Sequence, residues 1–243
     1  MRSGVRLQIC LDSSETIACF CAVVSTRASC AALSVCEIAL GREAALSLFP
    51  TRKREAELLL QAAKAGLNAP QTTSMGRLFD AVAATAGLRE VVGYEGQAAI
   101  ELEQIADETE KASYSFLLEQ TEQGWIYDWR TIICEIVADR ASGVSIGRIS
   151  MRFHRALATL ILEASEAIRR QTGCNTVALS GGCFQNELLL SLSAAALNEH
   201  GFTMITNQLV PCNDGGISYG QAAVCAALLK ERNATCASPF PEP

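Results

Sequence analysis

The stretch VALSGGCFQN, residues 177 to 186, constrains the fold of this chain more than any other part of its sequence. Residues 177 to 179 form a short apolar run that predicts a buried strand, and Gly181 and Gly182 end that run. The letters that follow, FQNELLLSLSAAALNEH, continue with helical periodicity. A strand, a glycine turn and a helix in succession are typical of an α/β fold. Such a turn either lets backbone N–H groups approach an anion or simply connects a strand to a helix.

Composition limits the kinds of partner that this protein can have. With 243 residues, of which 49% are hydrophobic and 19% charged, the chain can form one large domain or two modest ones with real cores. Its formal net charge of −6 argues against a surface that binds a phosphate backbone. We therefore expect no nucleic-acid partner.

The cysteines indicate a reducing compartment. There are 11 of them, scattered and without a C-x-x-C pair, and the chain has only two histidines. A zinc site or a disulfide framework is therefore not expected, and the predicted location is the cytoplasm. The apolar run at 17–24 follows Asp12 and Glu15 and is closed by Arg27, which suits neither a signal peptide nor a membrane span.

Periodicity and turn residues predict mainly helices. Residues 1–45 follow neither a helical nor a strand period cleanly, and short strands are one interpretation of them. The clearer predictions are helices over 54–67, 75–88, 95–111, 129–141 and 146–171, a β-hairpin over 113–129, a strand over 202–206 and a small-residue helix near the C-terminus.

Three segments share one pattern, in which a short loop with glycine or serine opens a helix near a carboxylate or an amide. They are TTSMGRLFDA with Asp80, SGGCFQNE with Asn186, and PCNDGGISYGQ with Asn213 and Asp214. A nucleotide site needs N–H groups for phosphate, a carboxylate for ribose hydroxyls and an acid for a metal ion. Simpler roles are also open: Asp214 as the N-cap of the last helix, Asp80 on a solvated helix face, and Asn186 bonding backbone in a first turn.

The histidines do not indicate a catalytic site. His154 lies near an apolar stripe and is predicted to be a buried, hydrogen-bonded core residue, whereas His200 suits the end of a helix. A serine hydrolase based on Ser180 is disfavoured, because Ala178 replaces the first glycine of the nucleophile elbow and no histidine follows Asp214.

Five motifs together resemble one family. The segments SMGRLFDAVAATAGL, YEGQAAIELE, FHRALA, VALSGGCFQNELLL and PCNDGGISYGQAAV are similar, in order and spacing over about 55–230, to the C-terminal half of HypF, the carbamoyltransferase of [NiFe]-hydrogenase maturation. The resemblance implies an α/β, helix-rich lobe of an actin/Hsp70-like ATPase fold. That fold is shared with the tRNA threonylcarbamoyl-adenosine synthase, but GRLFDA, YEGQAA and NDGGISYGQA are closer to HypF.

The family resemblance also implies a chemistry. HypF enzymes convert carbamoyl phosphate and ATP into carbamoyl-adenylate and pass the carbamoyl group to the C-terminal cysteine of a HypE-type protein, for the cyanide ligands of the hydrogenase iron. By motif, the ribose contact is Asp80, the nucleoside packs on Gly96, the adenylate is lined by Gly181, Gly182 and Asn186, and a divalent metal ion is bound by Asp214.

The departures from the family pattern predict a fragment. The upstream modules of HypF do not fit in 243 residues, and the histidine-rich segment that supplies its other metal ligands has no counterpart here. We expect residues 1–45 to be an unassigned remnant, 46–232 to be the carbamoyltransferase lobe without most of its N-terminal partner lobe, and 233–243 to be a disordered tail. A separate chain with the missing modules is then a possible partner. A non-catalytic interaction protein and a tRNA-modifying relative are the alternatives.

Overall fold

The computed structural model describes residues 17–18, 28–67, 71–72, 74–121 and 124–235. This part of the chain contains nine α-helices and six short strands. The helices are α1 (Ala28–Leu40), α2 (Arg42–Ser47), α3 (Lys53–Lys64), α4 (Met75–Thr85), α5 (Gln97–Gln104), α6 (Arg130–Ala141), α7 (Ile146–Thr172), α8 (Glu187–Glu199) and α9 (Ile217–Thr235). The strands are β1 (Ile17–Ala18), β2 (Gln71–Thr72), β3 (Leu117–Thr121), β4 (Gly124–Asp128), β5 (Thr176–Leu179) and β6 (Thr203–Thr206).

The longest helix, α7, organises the second half of the chain. It begins after Ser145, whose hydroxyl accepts a hydrogen bond from the Arg148 N–H, and ends at Gly173, which adopts a left-handed conformation. Residues such as Ile149, Phe153 and Leu160 recur at helical spacing and are fully buried. One face of α7 thereby packs against α5, α6 and α8, and it places the elements that carry the predicted site.

Helices α1 and α4 form the other part of the core. Along α4, Leu78 to Ala84 are all almost completely buried, and three of these residues are alanines that let α1 approach closely. The Cys36 thiol on α1 lies 3.4 Å from the Thr85 hydroxyl on α4. Short strands are therefore the wrong interpretation of residues 28–40, although 17–18 do form the short strand β1. Residues 30–36 of α1 are all buried, so this part of the helix has no polar face and shows no clear period.

Strands β5 and β6 pair in parallel and bring two loops together. The register runs from Thr176 opposite Thr203 to Leu179 opposite Thr206, so both strands end at the same edge. The Gly181 N–H then donates to the Cys212 carbonyl at 2.9 Å and links the loops that follow the two strands. The predicted buried strand is wrong in one respect, because β5 is buried only at Leu179.

Most of the other predicted elements are confirmed within a few residues. The hairpin is β3–β4, with residues 122–123 of its turn outside the described part of the chain. Helix α5 is shorter than the predicted 95–111, because the Asp107 carboxylate accepts hydrogen bonds from the N–H and hydroxyl of Thr109 and closes a turn there. The divisions at residues 45 and 232 stay predictions, and most of 233–243 lies beyond the described residues.

The C-terminal helix is largely uncovered. In α9 the side chains of Ile217, Tyr219, Val224, Leu228 and Leu229 are all more than half exposed. No helix in the part of the chain that the structure describes combines the length and the apolar character needed to cross a bilayer.

A buried carboxylate joins the loop after α5 to α7. Glu110 is 7% exposed, accepts from the Ala112 N–H at 2.9 Å, and binds the guanidinium groups of Arg148 at 2.6 Å and Arg152 at 2.9 Å. Arg152 also binds Asp139 of α6 at 2.7 Å. These hydrogen bonds lower the pKa of Glu110 from 4.5 to about 2.

Glu110→Gln should destabilise the protein near neutral pH and matter less in acid. The folded protein holds Glu110 ionised, so its contribution is present above pH 4.5 and is lost as the pH falls towards 2. We expect the difference in melting temperature between wild type and variant to shrink between pH 6 and pH 3. The exposed Glu108, changed to Gln, is the control; an equal effect of both substitutions would contradict the role of Glu110.

The close approach of α7 to the end of α5 requires a glycine. A methyl group at Gly147 would lie 2.6 Å from the Ile105 carbonyl oxygen, and the Asp107 N–H donates to the Gly147 carbonyl at 3.0 Å. Gly147→Ala should therefore lower the free energy of unfolding by about 1–3 kcal/mol through overpacking. Gly220→Ala, where no atom lies within 4 Å of the new methyl group, should not destabilise; urea denaturation of both variants makes the comparison.

Candidate functional site

The predicted site residues surround one cavity of about 670 Å³. Its walls come from the start of α4, helix α5 and the two residues before it, the glycine turn before α8, and the turn before α9. Five of the six predicted residues line it: Asp80, Gly96, Gly182, Asn186 and Asp214. The sixth, Gly181, is adjacent to the wall but is not part of it. The volume lies in the range of cavities that bind nucleotide-sized ligands.

Asp80 is buried at this cavity. It is 3% exposed, and its carboxylate Oδ2 lies 2.9 Å from Nη1 of Arg77, one turn earlier on α4. Burial raises the pKa of Asp80, and the charge of Arg77 opposes that shift. A solvated helix face is therefore the wrong interpretation of Asp80. A buried carboxylate held by one guanidinium is suited to accept hydrogen bonds from ligand hydroxyls.

Gly96 is the residue that opens α5. Its φ of +79° lies in the left-handed region, and no protein atom lies within 4 Å of the position that a β-carbon would occupy. The conformation favours glycine, and the missing side chain leaves space beside the backbone. A flat ligand can therefore pack directly against the main chain at this point.

The glycine turn leaves backbone donors beside the cavity. The first hydrogen bond within the turn runs from the Phe184 N–H to the Gly181 carbonyl at 3.0 Å. The two preceding N–H groups, of Gly182 and Cys183, therefore take no part in the hydrogen bonds within the turn. Gly181 has a φ of +109°, and a β-carbon at Gly182 would meet no protein atom within 4 Å. These features fit a turn that a ligand approaches closely.

The start of α8 is already occupied by side chains. The Leu188 N–H donates to Glu103 of α5 at 3.1 Å, and the Leu189 N–H donates to Oδ1 of Asn186 at 2.7 Å. These two donors are thus not available to a phosphate. Asn186 is the N-cap of α8, which confirms the simpler role for this residue, and it also lines the cavity.

Asp214 is exposed and lines the cavity from the turn before α9. The N-cap of its turn is Asn213, whose Oδ1 accepts from the Gly215 N–H at 3.0 Å, so Asp214 does not have the predicted capping role. Within the described ranges, no group of three or more histidine, cysteine, aspartate or glutamate side chains is arranged to hold a metal ion. Because metal sites need several such ligands, these residues by themselves do not form a metal site, and metal binding by Asp214 stays a prediction.

The cavity has an excess of negative charge. Four carboxylates line it, those of Asp80, Glu95, Glu103 and Asp214, against the single guanidinium of Arg77. A bare phosphate is disfavoured in such a field, whereas a ligand rich in hydroxyl groups or a phosphate accompanied by a cation is favoured. The sequence alone did not reveal Glu103, because the residue whose N–H it binds is 85 positions away.

Both histidines have the predicted structural roles. His154 is completely buried, and burial lowers its pKa from 6.5 to about 4. His200 lies just beyond α8, where its ring contacts the Ala196 carbonyl at 2.9 Å.

Comparison with known proteins shows the family to which this chain belongs. The model of the family described as "Carbamoyltransferase, Kae1-like Domain, second subdomain" matches residues 22–221. The chain belongs to the HypF family. Carbamoyltransferase HypF of Synechocystis sp. is 42% identical over 154 residues, which are 63% of this chain and 19% of that protein. Carbamoyltransferase HypF of Rhodobacter capsulatus is 35% identical over 184 residues, 75% of this chain and 23% of that protein.

Solved HypF structures confirm the fold. The crystal structure of full-length HypF in the phosphate- and nucleotide-bound form matches 84% of this chain and 27% of that chain, with a TM-score of 0.75 and 34% identity. The structure of T. kodakarensis HypF matches 86% of this chain and 28% of its own, with a TM-score of 0.71 and 24% identity. The fold is therefore one helix-rich α/β lobe of the actin-like type. The chain spans about a fifth of the length of the HypF relatives named above.

Asn186→Ala should lower the free energy of unfolding by about 1–2 kcal/mol, because it removes the N-cap of α8. Asn213→Ala is the matched control: it removes a cap of the same kind from a short exposed turn, where a smaller effect is expected. Chemical denaturation measures both. A wild-type midpoint for Asn186→Ala would contradict the capping bond.

Proposed function

We propose that this chain is the adenylate-holding lobe of a HypF-type carbamoyltransferase. The observation that carries the proposal is the convergence of Asp80, Gly96, Gly182, Asn186 and Asp214, from four separate segments, on one cavity. The family model and the HypF relatives support it at the level of the family. The solved relative that is described as phosphate- and nucleotide-bound supports a nucleotide as the ligand.

Each wall would contribute a different contact. The Asp80 carboxylate, held by Arg77, accepts hydrogen bonds from the ribose hydroxyls. The bare backbone at Gly96 receives the face of the nucleoside. The N–H groups of Gly182 and Cys183 donate hydrogen bonds to the phosphate. We assign the phosphate to them because the donors at the start of α8 already have partners.

The reaction is the transfer of a carbamoyl group from carbamoyl phosphate, through carbamoyl-adenylate, to the C-terminal cysteine of a HypE-type protein. In the last step the cysteine thiolate forms a bond to the carbamoyl carbon, the bond from that carbon to the adenylate phosphate oxygen breaks, and AMP leaves with the electron pair. The lobe binds and orients the adenylate during this step. No side chain here is assigned as a catalytic residue.

A divalent cation would offset the charge of the cavity and polarise the phosphate. Asp214 is the residue on this chain that we propose as its ligand, and the remaining ligands would come from outside the described residues. Because nucleotide in the actin-like fold lies between two lobes, we also propose that a protein with the N-terminal modules completes the site. The proposed location of this assembly is the cytoplasm.

Two other functions are outcomes of the same test. An interaction protein without catalysis is favoured by one observation, the uncovered apolar surface of α9. A tRNA-modifying role is disfavoured by the net charge of −6 and by the acidic cavity.

Calorimetric titration with ATP and Mg²⁺, for the chain alone and with the N-terminal HypF modules supplied in trans, tests the proposal. We expect weak binding alone and tighter binding in the mixture, followed by carbamoyl transfer to a peptide that ends in the HypE cysteine. Absence of nucleotide binding in both formats would contradict the enzyme function and leave the interaction protein.

Two substitutions localise the ligand. Asp80→Asn keeps the shape of the side chain but removes its charge, and it should weaken nucleotide binding about ten- to hundredfold. Gly182→Ala adds a methyl group that meets no protein atom, so a loss of about tenfold or more would come from contact with the ligand itself. Gly220→Ala on α9 is the control. Wild-type affinity for both cavity variants would place the nucleotide elsewhere.

A further inference from the structure

A chain of buried polar contacts runs behind the cavity wall. The Ser150 hydroxyl on α7 donates to the Leu102 carbonyl of α5. One turn later, Nδ1 of His154 lies 2.8 Å from the Ser150 carbonyl, and its Nε2 lies 2.9 Å from Nδ2 of Asn186. Ser150 thereby links α7 to α5, whose residues line the cavity, and His154 links α7 to Asn186, the cavity-lining N-cap of α8.

The contacts of His154 define its tautomer. A carbonyl oxygen only accepts hydrogen bonds, so Nδ1 carries the proton and donates to the Ser150 carbonyl. Nε2 then has a free electron pair and accepts from the Asn186 amide. The buried ring is neutral, because no carboxylate is among its described contacts and burial disfavours the charged form.

This tautomer permits only one orientation of the Asn186 amide. Oδ1 faces the Leu189 N–H at 2.7 Å, and Nδ2 faces His154. A flipped amide would direct Nδ2 at the Leu189 N–H and Oδ1 at the electron pair of Nε2. A donor would then face a donor at Leu189, and an acceptor would face an acceptor at His154. The imidazole therefore favours the same amide orientation as the Leu189 N–H, the one that caps α8.

We propose that His154 is a positioning residue of the adenylate site: its neutral imidazole orients Asn186 and so holds the glycine turn and the start of α8 against the cavity. The proposal rests on the proposed function insofar as the cavity binds adenylate. His154 itself is completely buried and is not among the residues that line the cavity. Its ring packs edge-on at 5.5 Å against Phe79, a residue of the cavity wall, so it supports that wall from behind.

The presence of an imidazole here needs an explanation beyond packing. The neighbours of His154 include Phe79 and Phe153, and an apolar side chain would suit them without the cost of burying a polar ring. A histidine is advantageous because it accepts from Asn186 on one side and donates to the α7 backbone on the other.

His154→Gln and His154→Leu separate positioning from packing. In glutamine, Oε1 can occupy the place of Nε2 and accept from Asn186, whereas leucine fills the volume but cannot accept. We expect amide hydrogen exchange at Leu189 to accelerate about tenfold or more in His154→Leu and to stay near the wild-type rate in His154→Gln. Nucleotide affinity should follow the same order, with a loss of about tenfold that glutamine restores.

Ser165→Ala is the matched control. Ser165 is also buried on α7, but among the described residues its hydroxyl donates to the Ile161 carbonyl of the same helix and to no other helix. This variant should leave the exchange rate of Leu189 and the nucleotide affinity unchanged. Equal losses for His154→Gln and His154→Leu, or an unchanged Leu189 rate in His154→Leu, would overturn the proposal.

A measurement on the wild-type protein keeps the test valid if His154→Leu does not fold. The imidazole nitrogen resonances should show His154 as the neutral Nδ1–H tautomer from pH 5.5 to 8, and His200 is the only other histidine to be assigned. An Nε2–H tautomer or a protonated ring would overturn the proposal. If the wild-type protein binds no nucleotide, the proposed function fails, but the Leu189 exchange and the tautomer still decide whether His154 orients Asn186.

Discussion

The burial of one face of α7 is the constraint on which the rest of this structure depends. The helix runs for 27 residues and presents side chains to three neighbouring helices, so its position sets theirs. At its start, Gly147 lets the end of α5 come within contact distance. In its first half, the His154 ring contacts Asn186, the N-cap residue of α8. Because hydrophobic burial is not directional, it does not by itself fix the relative positions of the helices. These few close approaches and polar contacts do.

The cavity is a consequence of that placement. Apart from the residues of α5, its walls are the beginnings of helices or turns, where the chain has backbone groups that the helix itself does not use. The protein satisfies two of these donors internally, through Glu103 and Asn186, and leaves the glycine turn accessible. The excess of carboxylates then favours hydroxyl groups and cation-accompanied phosphates over bare anions. Together these features restrict the ligands that fit the cavity more than a glycine turn alone would.

Much of the fold and the site could be predicted because the signals are local. Helices such as α3, α4 and α7 have amphipathic periods or clear end signals, and the strand–turn–helix unit around Gly181 is marked by its glycines. Helix α1 could not be recognised, since its residues 30–36 are all buried and so give no alternation of polar and apolar positions. The simpler roles of Asp80 and Asp214 were wrong, because burial and the neighbouring Asn213 cap are properties of the folded chain.

The sequence by itself determined the family, the order of the helices from α3 to α9 and the short segments from which a site could be built. It could do so because motifs and periodicity depend on residues that are near one another in the chain. Only the tertiary structure decided that those segments meet in one cavity, that Glu103 and Asn186 occupy the start of α8, and that His154 lies behind the wall. These are contacts between residues far apart in sequence. They arise from the packing of α5, α7 and α8, which the sequence of any one segment does not determine.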